Sequence, residues 1–124
     1  HLNSVIEKRR CNADLYKRNL DTNHIYIPEE NSKYFDTFHT FVIQVEKRDK
    51  LADYLKNRGI QTAVHYPIPI HLQPATKSLG YGLGDFPVAE KQAENILTLP
   101  INQFLEEHEI LRISSEVNHF LRSS

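Results

Sequence analysis

Two histidines, a tyrosine and a glutamine stand within nine residues of one another in His65-Tyr66-Pro67-Ile68-Pro69-Ile70-His71-Leu72-Gln73-Pro74. Imidazole, phenol and carboxamide groups can donate to hydroxyls and diphosphate oxygens, and imidazole can also move protons or bind metal. Three prolines in the same run fix φ, remove backbone donors and push the preceding residues toward extended geometry. The expected result is a stiff, extended loop that holds polar groups in place, the kind of segment where binding concentrates. Metal ligation does not fit the spacing. His65 and His71 are six apart, which matches neither the helical i,i+4 pair nor a finger pattern, and no acid lies between them.

The other reactive-looking residues have plainer readings. Cys11, the single cysteine, sits mid-helix between Arg10 and Asn12, and can form no internal disulfide. The Gly80-Tyr81-Gly82-Leu83-Gly84 run has no following Lys-Ser or Lys-Thr, so turn chemistry explains it better than phosphate binding. Ser114-Ser115 lies outside any nucleophile-elbow context. His39 shares a strand face with three apolar residues, which makes a core histidine its default reading. Asp85, ahead of Phe86-Pro87, reads as a helix-start residue.

Elements to position these groups follow from periodicity. Leu2, Val5, Ile6, Ala13, Tyr16 and Leu20 recur at helical spacing, predicting an amphipathic opening helix over 1–20. Ile25-Tyr26-Ile27 suits an edge strand ended by Pro28. Phe38 to Glu46 alternates as a strand, with His39, Phe41, Ile43 and Val45 on one face. Asp49 can cap a helix through Leu51, Ala52 and Leu55, and Gly59 stops it. Ile60 to Tyr66 reads as a second strand, completing a β-α-β unit. Residues 67–84 form the long loop, longer than a compact domain usually tolerates without a function. Pro87 opens a helix, Leu97 to Pro100 is a brief strand, and Ile110, Ile113, Val117, Phe120 and Leu121 define a closing helix with acids in its first turn. The whole is an α+β domain, a small sheet with helices packed on it.

Bulk properties bound the class. A length of 124 residues is one domain, 1–124. The formal charge of −1 carries no nucleic-acid footprint. No apolar run reaches membrane-span length, the N-terminus has no signal-peptide pattern, and one cysteine fits a cytoplasmic setting. The chain has no methionine and so no start residue, which is expected of a fragment of something longer or of a processed form.

Residues in this order carry a resemblance. Phe38-His39-Thr40-Phe41-Val42-Ile43, Arg48-Asp49 with Gly59-Ile60, His65-Tyr66-Pro67-Ile68-Pro69 with His71-Leu72-Gln73-Pro74, Leu79-Gly80-Tyr81, Gly84-Asp85-Phe86-Pro87 and Leu97-Thr98-Leu99-Pro100 resemble the C-terminal part of the DegT/DnrJ/EryC1/StrS family. These are pyridoxal-phosphate (PLP) sugar aminotransferases. The resemblance implies the small C-terminal domain of the fold-type I aminotransferase architecture, with helix 1–20 leading from an absent large domain. It implies amino transfer from L-glutamate to a nucleotide-linked keto-sugar, with C3 amination favoured over C4, in a homodimer. It implies that the large domain holds PLP and its Schiff-base lysine, so no catalytic, cofactor-binding or metal-binding residue is expected here, and the isolated chain is expected to be inactive. His39, His65, Tyr66, His71 and Gln73 match family positions lining the substrate side, where they would shape the sugar-nucleotide pocket. Phe38 stands where tyrosine is common, and Thr76 where an aromatic often follows Gln-Pro-Ala, so a hydroxyl and a stacking surface are missing. The alternative is a regulatory ligand-binding or dimerisation module without catalysis.

Overall fold

In the computed structural model, which describes residues 1–123, two long helices pack together against one side of a small sheet. Helix α1 spans Leu2–Asn19 and buries Asn12, Ala13 and Tyr16, one stripe at helical spacing. Helix α4 spans Glu107–Ser123 and buries Ile110, Ile113, Ser114 and Val117. Asn118 on α4 finishes α1: its Nδ2 donates to the Asn19 carbonyl at 2.7 Å and its Oδ1 accepts from the Asp21 amide at 2.8 Å. Backbone groups that a helix end would leave orphaned are thereby paired.

The sheet has three antiparallel strands in the order β1-β2-β3. Strand β1 is Ile25–Tyr26, β2 is Phe41–Val45 and β3 is Ile96–Leu99. Residue pairs Phe41–Leu99, Val42–Thr98, Ile43–Leu97 and Gln44–Ile96 set the β2–β3 register. Phe41, Ile43 and Val45 are buried and alternate with half-buried Val42 and Gln44, so one face of the strand meets the core. That core joins Tyr16, Ile43, Leu51, Leu55, Leu97, Leu99, Ile110 and Val117, all at most 1% exposed.

Several expectations from sequence meet corrections. The strand begins at Phe41, because Phe38 stands at φ 48 with its amide bonded to Asp36 Oδ1 at 2.8 Å, which turns the chain before the ladder starts. His39 is exposed and not a core histidine, since that turn carries it off the buried face. Helix α2, Arg48–Lys56, is preceded by Lys47 in the left-handed region, and Asp49 lies within its first turn paired with Arg48 Nε at 2.6 Å rather than capping it. Gly59 ends α2 as expected: at φ 73 its amide reaches the Lys56 carbonyl and the Ile60 amide reaches that of Leu55, both at 3.0 Å.

The segment 60–66 keeps the alternation of a strand, with Ile60 buried and Thr62 and Val64 half-buried, but only Ala63 pairs, exchanging both backbone bonds with Thr98. Thr98 also faces Val42 on its other side. Strand β3 thus lies between β2 and the Ala63 segment, both antiparallel to it, so the β-α-β unit is split by β3. Helix α3, Pro87–Asn95, leads directly into β3, so Ile96 and Leu97 belong to the strand.

Candidate functional site

The Pro-rich run is not extended throughout. Two 3-10 turns, Ile70–Leu72 and Pro74–Leu79, fold it back. The extended pieces that remain are short, because Thr76 Oγ1 donates to the Ile70 carbonyl at 2.7 Å and draws the second turn against the first. Gly80 at φ 77 and Gly84 at φ 93 reverse the chain toward α3, conformations that glycine enters without a Cβ penalty.

Between this arch and α3 lies an open, mainly apolar cleft of about 640 Å³. Ile68, Pro69 and Ile70 line its arch side, and Ala89, Gln92, Ala93 and Ile96 its opposite side. Tyr66, His71, Tyr81 and Phe86 supply its aromatic groups.

The five site candidates from sequence divide. Tyr66 and His71 both line the cleft. Tyr66 is 82% exposed and stands at φ 62. A non-glycine residue there, before a proline, costs roughly 1–3 kcal/mol, and such strain persists only where the surroundings fix it. His65 is beside it, ring centres 6.5 Å apart, with Nδ1 hydrogen-bonded to Thr98 Oγ1 at 2.8 Å. That bond ties the foot of the arch to β3. His71 is buried, 9% exposed, with its ring 4.8 Å from Phe86 and its Nε2 2.9 Å from Glu90 Oε1. Gln73 turns back onto its own loop, where its Nε2 donates to the Ile68 carbonyl at 3.4 Å, and it does not line the cleft. His39 stands apart from the cleft as well, with Arg9 of α1 donating to its carbonyl at 3.0 Å and to its Nδ1 at 3.4 Å.

Two partners were not foreseen, Thr98 and Glu90. Glu90 also accepts from the Gly84 amide at 2.9 Å and the Phe86 amide at 3.3 Å. These bonds, the His71 one first, hold its carboxyl below the usual carboxylate range against the opposing effect of desolvation. An ionised acceptor has no proton to give, so His71 must present Nε2–H to it. In the sequence Glu90 carries only the signal of an acid in the first turn of a helix after a proline start, which marks the helix and not the latch. Asp85, expected to open α3, instead accepts from the Gly82 amide at 2.8 Å and closes the glycine turn.

The cleft is lined mainly by apolar and aromatic side chains. No lysine lines it, and its one basic side chain, His71, is committed to Glu90. Neither a Schiff base nor a cofactor phosphate is matched by these residues. Among the described residues no group of His, Cys, Asp and Glu could hold a metal ion, and no helix is long and apolar enough to cross a membrane.

Fold and site define an α+β domain that presents a pinned loop over an apolar cleft. Residues 1–118 match the DegT/DnrJ/EryC1/StrS aminotransferase family. The chain belongs to that family. It is 38% identical over 125 residues to a "Pleiotropic regulatory protein" of Geobacillus stearothermophilus, covering 98% of this chain and 34% of that protein. It is 40% identical over 83 residues to a dTDP-3-amino-3,4,6-trideoxy-alpha-D-glucose transaminase of Streptomyces venezuelae, covering 67% of this chain and 22% of the relative. Among solved structures it superimposes on S. venezuelae DesV with a TM-score of 0.91 at 34% identity, over 98% of this chain and 33% of DesV. The chain therefore spans about a third or less of the length of these relatives.

Proposed function

We propose that this chain is the small domain of a PLP-dependent nucleotide-sugar aminotransferase, and that its pinned arch forms the substrate-side wall of the active site. The observation that carries the reading is the pairing of His65 with Thr98 and of His71 with Glu90, which fixes both ends of an arch over an apolar cleft. Membership of an aminotransferase family supports the reaction class, with L-glutamate as amino donor and a nucleotide-linked keto-sugar as acceptor. The transaminase of S. venezuelae named for a 3-amino sugar supports C3 as the position aminated.

Labour would be divided between this cleft and the rest of the protein. PLP, which supplies the electron sink for amino transfer, would be held by the part of the protein outside these residues. This chain's share is to orient the sugar nucleotide and keep water from its apolar side. Tyr66 offers a phenol at the exposed tip, His65 its free Nε2 edge, and the cleft an apolar bed. His71 and Gln73 act by shaping the loop, since both spend their polar groups inside it. His39 would meet substrate only from outside the cleft. More than half of the exposed large hydrophobic side chains fall between Tyr66 and Val88, a patch suited to cover by the rest of the protein or by a second copy in a homodimer.

The test is substrate binding by the full-length protein. His65→Ala is expected to raise the KM for the nucleotide-linked keto-sugar about tenfold, equal to about 1.4 kcal/mol, with thermal unfolding little changed. Unchanged binding sinks the pocket reading. The relative called a pleiotropic regulatory protein favours a second reading, a ligand-binding module without catalysis. Tight binding of a sugar nucleotide by the 124-residue chain alone, with no PLP required, would favour it.

A further inference from the structure

Between Ile60 and Ala93 the chain contributes no fully buried apolar side chain to the core. Val64 packs in partly, near one end. The arch, both 3-10 turns and the glycine turn all lie in this stretch, so apolar burial cannot fix their position. Polar bonds must do it.

Glu90 gathers the most of these bonds. Its carboxylate gathers donors from three segments: His71 Nε2 in the first 3-10 turn, the Gly84 amide in the glycine turn, and the Phe86 amide at the start of α3. The Gly84 amide is shared, 2.9 Å from one oxygen and 3.1 Å from the other. His71 precedes Glu90 by nineteen residues, so this bond closes the whole returning limb of the loop. The side chains are 8% and 14% exposed, dry enough for charge-assisted bonds to hold. Phe86 completes the cluster, with its ring on His71 and Tyr81 edge-on to it at 5.1 Å. His71, Phe86 and Tyr81 all line the cleft.

We infer that Glu90 is a positioning residue: it latches the Pro-rich arch to α3 and so sets the width of the cleft, without itself touching substrate. The inference deepens the substrate-wall reading and rests on it only for its kinetic consequence. Glutamine is close in size but a weaker latch: with its carbonyl at the Oε1 position it keeps the His71, Gly84 and Phe86 bonds without their charge, and its amide nitrogen then faces the Gly84 amide, donor against donor.

Glu90→Gln in the full-length protein provides the test, with Glu90→Asp as a second variant that keeps the charge. Amide hydrogen exchange should quicken at least tenfold at residues 70–86 in the glutamine variant and be partly restored by aspartate. The KM for the keto-sugar nucleotide should rise about tenfold, while the half-reaction with glutamate alone keeps its rate. A merely structural glutamate would lower the unfolding temperature and leave that split absent. Exchange unchanged at residues 70–86 overturns the latch, whatever the kinetics. Faster exchange with an unchanged keto-sugar KM leaves the latch standing and removes the arch from the substrate wall.

Discussion

The two sides of the sheet are held by opposite means. On one, α1, α2 and α4 bury aliphatic side chains against β2 and β3, and the order comes from packing. On the other, residues 61–92 cover little of the core and are fixed by two histidines, a threonine and a glutamate, with their large apolar groups turned outward. Packing is non-directional and tolerates small shifts, whereas hydrogen bonds fix distance and angle. The first side suits stability. The second suits a surface that must hold a particular shape before its partner or ligand arrives.

The comparison breaks first in the core. Leu97→Ala removes a fully buried side chain between the helices and the sheet. The loss should be about 2–5 kcal/mol, read by denaturant unfolding, with no selective loosening of the arch. A smaller effect is expected where a polar bond crosses the core side. Tyr16 donates to the Pro100 carbonyl at 2.7 Å, and burial pushes its phenol pKa up. Tyr16→Phe strands that carbonyl and should cost about 1–3 kcal/mol by the same measurement. The gentlest probe is acid. Glu90 titrates below its ordinary value, so its contribution to holding the loop is complete above that value and is lost as pH falls through the depressed one. The Gly84 amide resonance, followed by NMR, should therefore shift with a midpoint below the ordinary carboxylate value of about 4.3. A midpoint at or above that value would contradict the ionised latch.

Legibility in the sequence divides along the same line. The helices α1 and α4, the inward face of β2 at Phe41, Ile43 and Val45, and the stop at Gly59 are readable because apolar periodicity and backbone permissiveness are local properties. The turn at Phe38 was hidden, since nothing in an aromatic residue announces a positive φ. The second strand was overextended because its partner edge is β3, which arrives more than thirty residues later and pairs with it only at Ala63. At the site, the rigid histidine-tyrosine run was visible from its prolines. Its fastenings were not: Thr98 looks like an ordinary strand residue, and Glu90 between Ala89 and Lys91 looks like a solvated helix acid. Gln73, read as a pocket group, spends its amide on the loop itself.

Strand β3 also dictates when the domain can form. Residues 96–99 bring together β2 and the Ala63 segment, and the α4 that shelters α1 comes later still. Until that stretch leaves the ribosome, the earlier three-quarters of the chain holds three helices and the two-residue β1–β2 ladder, with no central strand to close on. Loop-closure entropy is then met all at once, by contacts of long sequence separation. Assembly is accordingly a late, nearly simultaneous event, and the arch can set only after the strand that anchors its foot is in place.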